Sequence, residues 1–306
     1  MMNRRAFLGA SAASFLVQGL QVPAVNPGLA TILGSAFPAE HKIKAIGVQL
    51  YTVRDAMKSD LPGTLARVAQ IGYKEVEFAG YFDHSPKEIS EILKKNSLTA
   101  PSCHVSYDTV ENKWQQQIDD GHVLGHKFIV CPWIEPKQRN EADGYKRASE
   151  LFQKAGEASK KAGIQFCYHN HTFEFQPSTT LDGKLPYDFI LASTSPEFVK
   201  MELDLCWISV AGKDPIEYFN KYPGRFPLVH AKDMKSLPKG AEGPTASPDK
   251  EMPNMTEVGG GIIDWKRIFS HSEKAGIQHY FVEHDYPADA FASITKSYAY
   301  LSTLTF

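Results

Sequence analysis

Two apolar rhythms alternate along the chain from about residue 42. One is a short, nearly continuous apolar run; the other is a longer stretch whose apolar residues recur three and four apart. Runs of the first kind cover 43–52, 74–80, 98–106, 127–134, 164–171, 198–207, 226–233 and 279–285, and they predict buried strands. Helices are predicted between them. Over 61–72, Leu65, Val68, Ala69 and Ile71 form a stripe that Gly72 stops. Others are 141–163, 264–276 with Asp264 as N-cap and Gly276 as the terminal glycine, and 287–304. Three strands are entered through the same signature of helix end, glycine and apolar run, at Gly72, Gly163 and Gly276. Eight strands alternating with helices predict a parallel sheet, and the economical closure is a single-domain α/β fold, a (β/α)8 TIM barrel. An open doubly wound sheet is the alternative. The glycine cluster Gly259–Gly261 precedes an Ile-Ile-Asp run instead of following a strand, so no dinucleotide fingerprint supports it.

The first residues follow neither rhythm. Arg4-Arg5 precedes Phe7-Leu8 and a mild apolar run, and no Lys or Arg follows until Lys42. This pattern resembles a twin-arginine export signal, with Gly34, Ser35 and Ala36 near a cleavage point. The expected division is therefore an export signal and linker over 1–41 and a catalytic barrel over 42–306. The expected location is periplasmic, free or tethered to the membrane, with no stable span in the mature form, since the apolar run is short and carries Gly, Ser and Gln. Losing Arg4 and Arg5 and no acid takes the net charge from −2 to −4. That balance, with no long basic run, argues against a nucleic-acid partner. Cys103, Cys131, Cys167 and Cys206 have no zinc-site spacing and read as buried thiols. The Pro-, Gly- and Ser-rich stretch 236–255 reads as a long loop after the seventh strand, on the face where barrels keep their active sites.

Titratable residues collect at the ends of the predicted strands. The third ends in His104, the fifth in His169 and His171, the sixth in Glu202 and Asp204, the seventh in His230, Lys232 and Asp233, and the eighth in Glu283, His284 and Asp285. Residues two apart on a strand share a face, so each of the last four strands would aim a pair at the barrel mouth. Burying that many charges is costly unless they pair or bind a metal, and the mixed N/O set suits Mn²⁺, Zn²⁺, Co²⁺ or Fe²⁺. Each residue alone has a plainer reading: a satisfied core histidine, a helix cap for Asp204 or Glu283, a salt-bridge partner for Glu202, an orienter of ligating imidazoles for Glu174 or Asp285, an outer-face position for His284.

The stretches 47-GVQLYTVRD-55, 71-IGYKEVEFAG-80, 168-YHNHTFEF-175, 202-ELDLCW-207, 228-LVHAKDM-234, 258-VGGGIIDW-265 and 282-VEHD-285 resemble, in order and spacing, the xylose isomerase-like barrels. That group takes in sugar phosphate isomerases/epimerases and family 2 AP endonucleases. The resemblance implies one divalent metal ion (Mn, Zn, Co, Fe or Mg) held on strands five to eight by Glu, Asp, His and Glu. The last three correspond to Asp204, His230 and Glu283. The first departs: the family's Glu-Asn-His is His169-Asn170-His171 here, so His169 takes the ligand position and His171 faces substrate, with Glu174 the other candidate ligand.

With His169 in place of a glutamate, one of the two bases of a family epimerase is missing. Glu283 remains as one base, and His171, Lys232 or Glu174 must supply the other. The resulting expectation is metal-dependent isomerisation or epimerisation of an unphosphorylated sugar by proton abstraction beside a carbonyl. β-Elimination from a keto-sugar or 3-keto-glycoside by a dehydratase or lyase is the alternative, and a non-catalytic sugar-binding barrel is the second. Glu283, His171 and Lys232 are the expected catalytic residues. His104, Trp133, Glu174, Trp207 and Asp233 are the expected substrate contacts. A small-molecule sugar is the expected partner, and a homo-oligomer is left open.

Overall fold

A computed structural model of the chain describes residues 41–237 and 255–306. The expected export signal and linker, apart from residue 41, and most of the 236–255 stretch lie outside the described residues. Eight parallel strands close into a barrel: β1 (Ile46–Gln49), β2 (Glu75–Ala79), β3 (Thr99–His104), β4 (Phe128–Cys131), β5 (Gln165–His169), β6 (Val199–Asp204), β7 (Leu228–Ala231) and β10 (His279–Val282). β1 closes the ring by pairing with both β2 and β10. This is the single (β/α)8 TIM barrel that the alternation of apolar rhythms predicts.

The strands are shorter than the apolar runs. β6 stops at Asp204, and Leu205–Val210 turns at once into a helix whose first amides, at Cys206 and Trp207, donate to the Asp204 side chain. The run continues as apolar sequence because that helix is itself buried. β5 stops at His169 and β7 at Ala231, so His171 and Lys232 stand on the loops above the barrel. A short antiparallel pair, β8 (Asp233–Met234) with β9 (Met255–Thr256), follows the seventh barrel strand. The sequence pattern does not announce it, since two residues carry no period.

The core has two layers. Between strands and helices, Val48, Val76, Phe78, Phe152, Phe166 and Phe219 are among the fully buried side chains. Inside the barrel, Phe128, Val130, Cys167, Leu228 and Phe281 form a separate apolar cluster. Cys167, Leu228 and Phe281 occupy the same strand faces as His169, His230 and Glu283 two positions on, so the cluster makes the floor of the site. Gly47 is required there: a Cβ would sit 2.4 Å from Phe281 Cδ1. Filling the barrel floor with one phenylalanine ring contributes roughly 2–3 kcal/mol. All four cysteines are free and buried.

Candidate active site

The parallel register decides which side chains meet. His169 pairs with Glu202, and Asp204 with His230. Above the apolar floor this stacks two tiers of polar groups. In the lower tier, three imidazole nitrogens converge on Glu202 Oε2: His104 Nε2 at 2.6 Å, His169 Nδ1 at 3.1 Å and His230 Nε2 at 3.1 Å. Glu77 Oε2 lies 2.6 Å from His230 Nε2 and receives Gln49 Nε2 at 2.8 Å, while Ser102 Oγ donates to Oε1. In the upper tier, His169 Nε2 faces Asp204 Oδ2 at 3.8 Å, and His230 Nδ1 lies 2.6 Å from Glu283 Oε2 and 4.0 Å from Asp204 Oδ2. Lys232 Nζ stands among three carboxylates: Asp204 Oδ2 at 3.1 Å, Glu283 Oε2 at 2.8 Å and Asp285 Oδ1 at 2.9 Å.

Electrostatics follow from this packing. Burial opposes charge on Lys232, but Asp204, Asp285 and Glu283 outweigh it and hold the ammonium well above its ordinary range. Burial also opposes charge on Glu202, yet His230 and His104 hold it well below the usual carboxylate range. Glu77 is pushed up by burial and by the neighbouring Glu202 charge. Burial and the nearby His169 and Lys232 push His171 well below an ordinary histidine, so its ring is neutral at pH 7. Its Nδ1 is buried without a hydrogen-bond partner.

A cavity of about 720 Å³ opens over the upper tier. His104, His169, His171, Lys232, Glu283 and Asp285 supply its polar wall, and Trp133 and Trp207 its aromatic one. Trp133 meets the His171 ring edge-on at 4.9 Å between centroids. The expected contacts His104, Trp133 and Trp207 therefore do reach the cavity.

Two expected contacts do not. Glu174 is fully buried off the cavity; it accepts Tyr168 Oη at 2.6 Å and the His171 amide at 2.9 Å. Its carboxyl, pushed by burial to about 7, fixes the loop that carries His171 and cannot also reach the metal tier. Asp233 is spent on its own loop. Its two oxygens accept the amides of Met234, Gly259, Gly261 and Ile263 and the Trp265 indole. Asp285 pairs with Lys232 instead of orienting an imidazole. His284 points outward, its ring on Ser293 and its amide on Thr52.

Sequence reasoning passed over Glu77, Gln49 and Ser102, and it brought Glu202 to the barrel mouth without making it a ligand or a catalytic residue. Glu77 was visible in principle as a charged residue between Val76 and Phe78 in the middle of a strand, and Gln49 as a polar residue between Val48 and Leu50.

The donor set fits a divalent metal. Among the described residues, ligand atoms of His104, His169, Glu202 and His230, and of Asp204, His230 and Glu283, form two groups each lying within 4.8 Å. Lys232 Nζ lies near Asp204 Oδ2 but off its hydrogen-bonding direction, and no donor satisfies that buried oxygen. A cation already sits among the upper carboxylates in the form of that ammonium. His169, Asp204, His230 and Glu283 are the residues that would hold an ion in the upper tier.

Comparison with known proteins places this geometry. The family described as xylose isomerase-like TIM barrel matches residues 65–302. An inosose dehydratase of Lacticaseibacillus casei is 24% identical over 236 residues, spanning 69% of this chain and 77% of that protein. One of Geobacillus thermodenitrificans is 24% identical over 246 residues, 71% and 79% of the two chains. Among solved structures, a sugar phosphate isomerase/epimerase from Parabacteroides distasonis superimposes with a TM-score of 0.68 at 26% identity, over 88% of this chain and 96% of that one. The IolI protein, solved with a zinc atom, superimposes at 0.66 with 14% identity, over 85% and 98%, which is a likeness of fold. With the match running from the helix Leu61–Ile71, between β1 and β2, to the last helix Ala290–Thr303, the chain belongs to the xylose isomerase-like TIM barrel family.

Proposed function

We propose that this chain is a divalent-metal-dependent dehydratase that removes water from an unphosphorylated keto-sugar or keto-cyclitol. The observation that carries the reading is the asymmetry of the bases at the cavity. His171 lines the cavity and its buried Nδ1 has no hydrogen-bond partner, whereas Glu283 Oε2 is bound by His230 at 2.6 Å and Lys232 at 2.8 Å. An epimerase needs a free base on each face of the reacting carbon; an elimination needs one base and a proton donor. The curated relatives, which are inosose dehydratases, lean the same way.

A bound divalent ion would supply Lewis-acid polarisation of the substrate carbonyl. His171 takes the proton from the carbon beside the carbonyl, and the electrons of that C–H bond form a C=C bond. The bond from the next carbon to its hydroxyl breaks, and that oxygen leaves as water with a proton from His104. His104 lines the cavity and is held from below by Glu202 at 2.6 Å. Lys232, kept charged by three carboxylates, offsets the negative charge growing on the carbonyl oxygen. The aromatic walls Trp133 and Trp207 cover the apolar face of a ring. The export signal read at Arg4-Arg5 would put the reaction outside the cytoplasm, which suits a substrate without phosphate.

Epimerisation is the second reading, favoured by the solved relative from Parabacteroides distasonis. The test is to incubate the purified chain with Mn²⁺ or Zn²⁺, inososes and keto-hexoses in D₂O and follow products by NMR. Loss of one water is expected. A deuterated stereoisomer of the substrate would move the assignment to an epimerase, and absence of any exchange to a binding protein.

A further inference from the structure

Apart from His104 and the contact that holds it, the lower tier has no part in the reaction as written, yet it contains two fully buried glutamates. We infer that Glu77 and Glu202 are positioning residues that set which ring nitrogen of His230 and His169 is offered to the metal. The inference rests on the metal-dependent reading above.

Each of the two imidazoles spans the tiers. His169 turns Nδ1 down to Glu202 Oε2 and Nε2 up to Asp204. His230 turns Nε2 down to Glu77 Oε2 at 2.6 Å and Nδ1 up to Glu283 and Asp204. An ionised carboxylate only accepts, so the nitrogen against it carries the hydrogen, and in a neutral ring the opposite nitrogen then holds the lone pair. His169 is thereby set as the Nδ1–H tautomer, while His230, with a carboxylate oxygen at 2.6 Å from each nitrogen, holds hydrogen on both and would release the Nδ1 one to a metal, Glu77 keeping the Nε2 one. The ring edges so left for a metal, His169 Nε2 and His230 Nδ1, both face the Asp204 side, where the upper ligands stand. Carboxylates commonly orient ligating imidazoles in this way.

Glu77 is itself held in register. The Tyr51 amide donates to Gln49 Oε1 at 3.0 Å, which fixes the amide so that Nε2 must donate to Glu77 Oε2 at 2.8 Å. Ser102 Oγ occupies the other oxygen. These contacts tie β1, β2 and β3 to the His230 ring on β7 across the barrel.

The rival explanation is a second ion among His104, His169, Glu202 and His230. The geometry speaks against it. Three ring nitrogens point within 3.1 Å of Glu202 Oε2, so the carboxylate oxygen is the centre of the cluster and a ligand to nothing within it. The unpartnered Glu202 Oε1 is the atom a second ion would use, so stoichiometry decides.

The experiment measures Zn²⁺ and Mn²⁺ affinity by calorimetry and metal content by mass spectrometry on the full chain, its Glu77→Gln and Glu202→Gln variants, and Ser102→Ala. Histidine ring tautomers of the zinc-loaded wild type are read from ¹⁵N–¹H correlations. One ion per wild-type chain is expected, bound about 10–100-fold more weakly in either glutamine variant, with hydrogen on His169 Nδ1 and His230 Nε2. Ser102→Ala, which removes one partner of Glu77 and leaves the rings, covers the case in which a glutamine variant does not fold, and should weaken binding by about 3-fold. Unchanged affinity in folded variants, opposite tautomers, or two ions per chain would each overturn the inference alone. A wild type that binds no ion would overturn the metal-dependent function itself.

Discussion

His171 shows how neighbouring side chains fix one ring at the wall of a cavity. Its amide is pinned by Glu174, its ring is braced by Trp133, and its Nδ1 is left without a partner in a buried setting. Leaving a buried polar atom unsatisfied costs about 1–3 kcal/mol, and a ligand atom or a proton in flight is what would satisfy it. His171→Asn should lower kcat by roughly 10²–10³-fold and leave metal affinity unchanged in calorimetry, which separates a base from a ligand. A second residue-scale prediction concerns His126, away from the site. Its ring sits on the Ala100 carbonyl at 2.6 Å, and burial lowers its pKa to about 4. The unfolded chain, with an ordinary histidine near 6.5, binds the proton that the folded chain refuses between pH 6.5 and 4. Stability contributed by His126 is thus present above that window and lost as pH falls through it. Between pH 7 and pH 5 the wild type should lose about 2 kcal/mol more than His126→Gln in urea melts; parallel curves for the two would reject the assignment.

At the scale of elements, the loop after the seventh strand depends on Asp233. Four backbone amides and one indole converge on its two oxygens, and they come from residues 234–265. Gly261 is glycine because a Cβ would meet Asp233 Oδ1 at 2.1 Å. Asp233→Asn turns one acceptor into a donor facing donors, and should cost about 3 kcal/mol. Hydrogen exchange should accelerate at Gly259, Gly261 and Ile263 ahead of the barrel strands; uniform protection would show that the carboxylate is dispensable. The motif 258-VGGGIIDW-265 is thus an anchor for a loop, and its tie to the site runs through β8, one residue beyond Lys232.

For the whole molecule, closure of the barrel brings five strands' worth of charge to one mouth, and the cost is met by pairing among the groups themselves. A ligand that binds only the folded chain adds RT ln(1 + [L]/Kd), about 2.7 kcal/mol at a hundred times Kd. For a domain of this size that is roughly 5–10 °C in melting temperature. Zn²⁺ or Mn²⁺ should raise the melting temperature by that much and chelator should reverse it; an ion-independent melt would argue that the acid cluster is closed by Lys232 alone. Among the described residues no helix is long and apolar enough to cross a membrane.

Sequence by itself determined the strand count, the helical stripes and the strand ends at which chemistry gathers. Those features are local: apolar periodicity and glycine stops act over a few residues. Alternation brought pairs of residues to the mouth, because residues two apart on a strand share a face, and the resemblance to the family singled out His169, Asp204, His230 and Glu283 among them. Tertiary structure alone decided that Glu77, far back on β2, reaches His230 on β7 at 2.6 Å, since only ring closure makes those strands opposite walls of one cavity. It likewise decided that Asp233 serves a loop and Glu174 a backbone amide while their neighbours face the cavity. Alternation ends where the ladder ends, and beyond that point a side chain's direction is set by the contacts its loop can make.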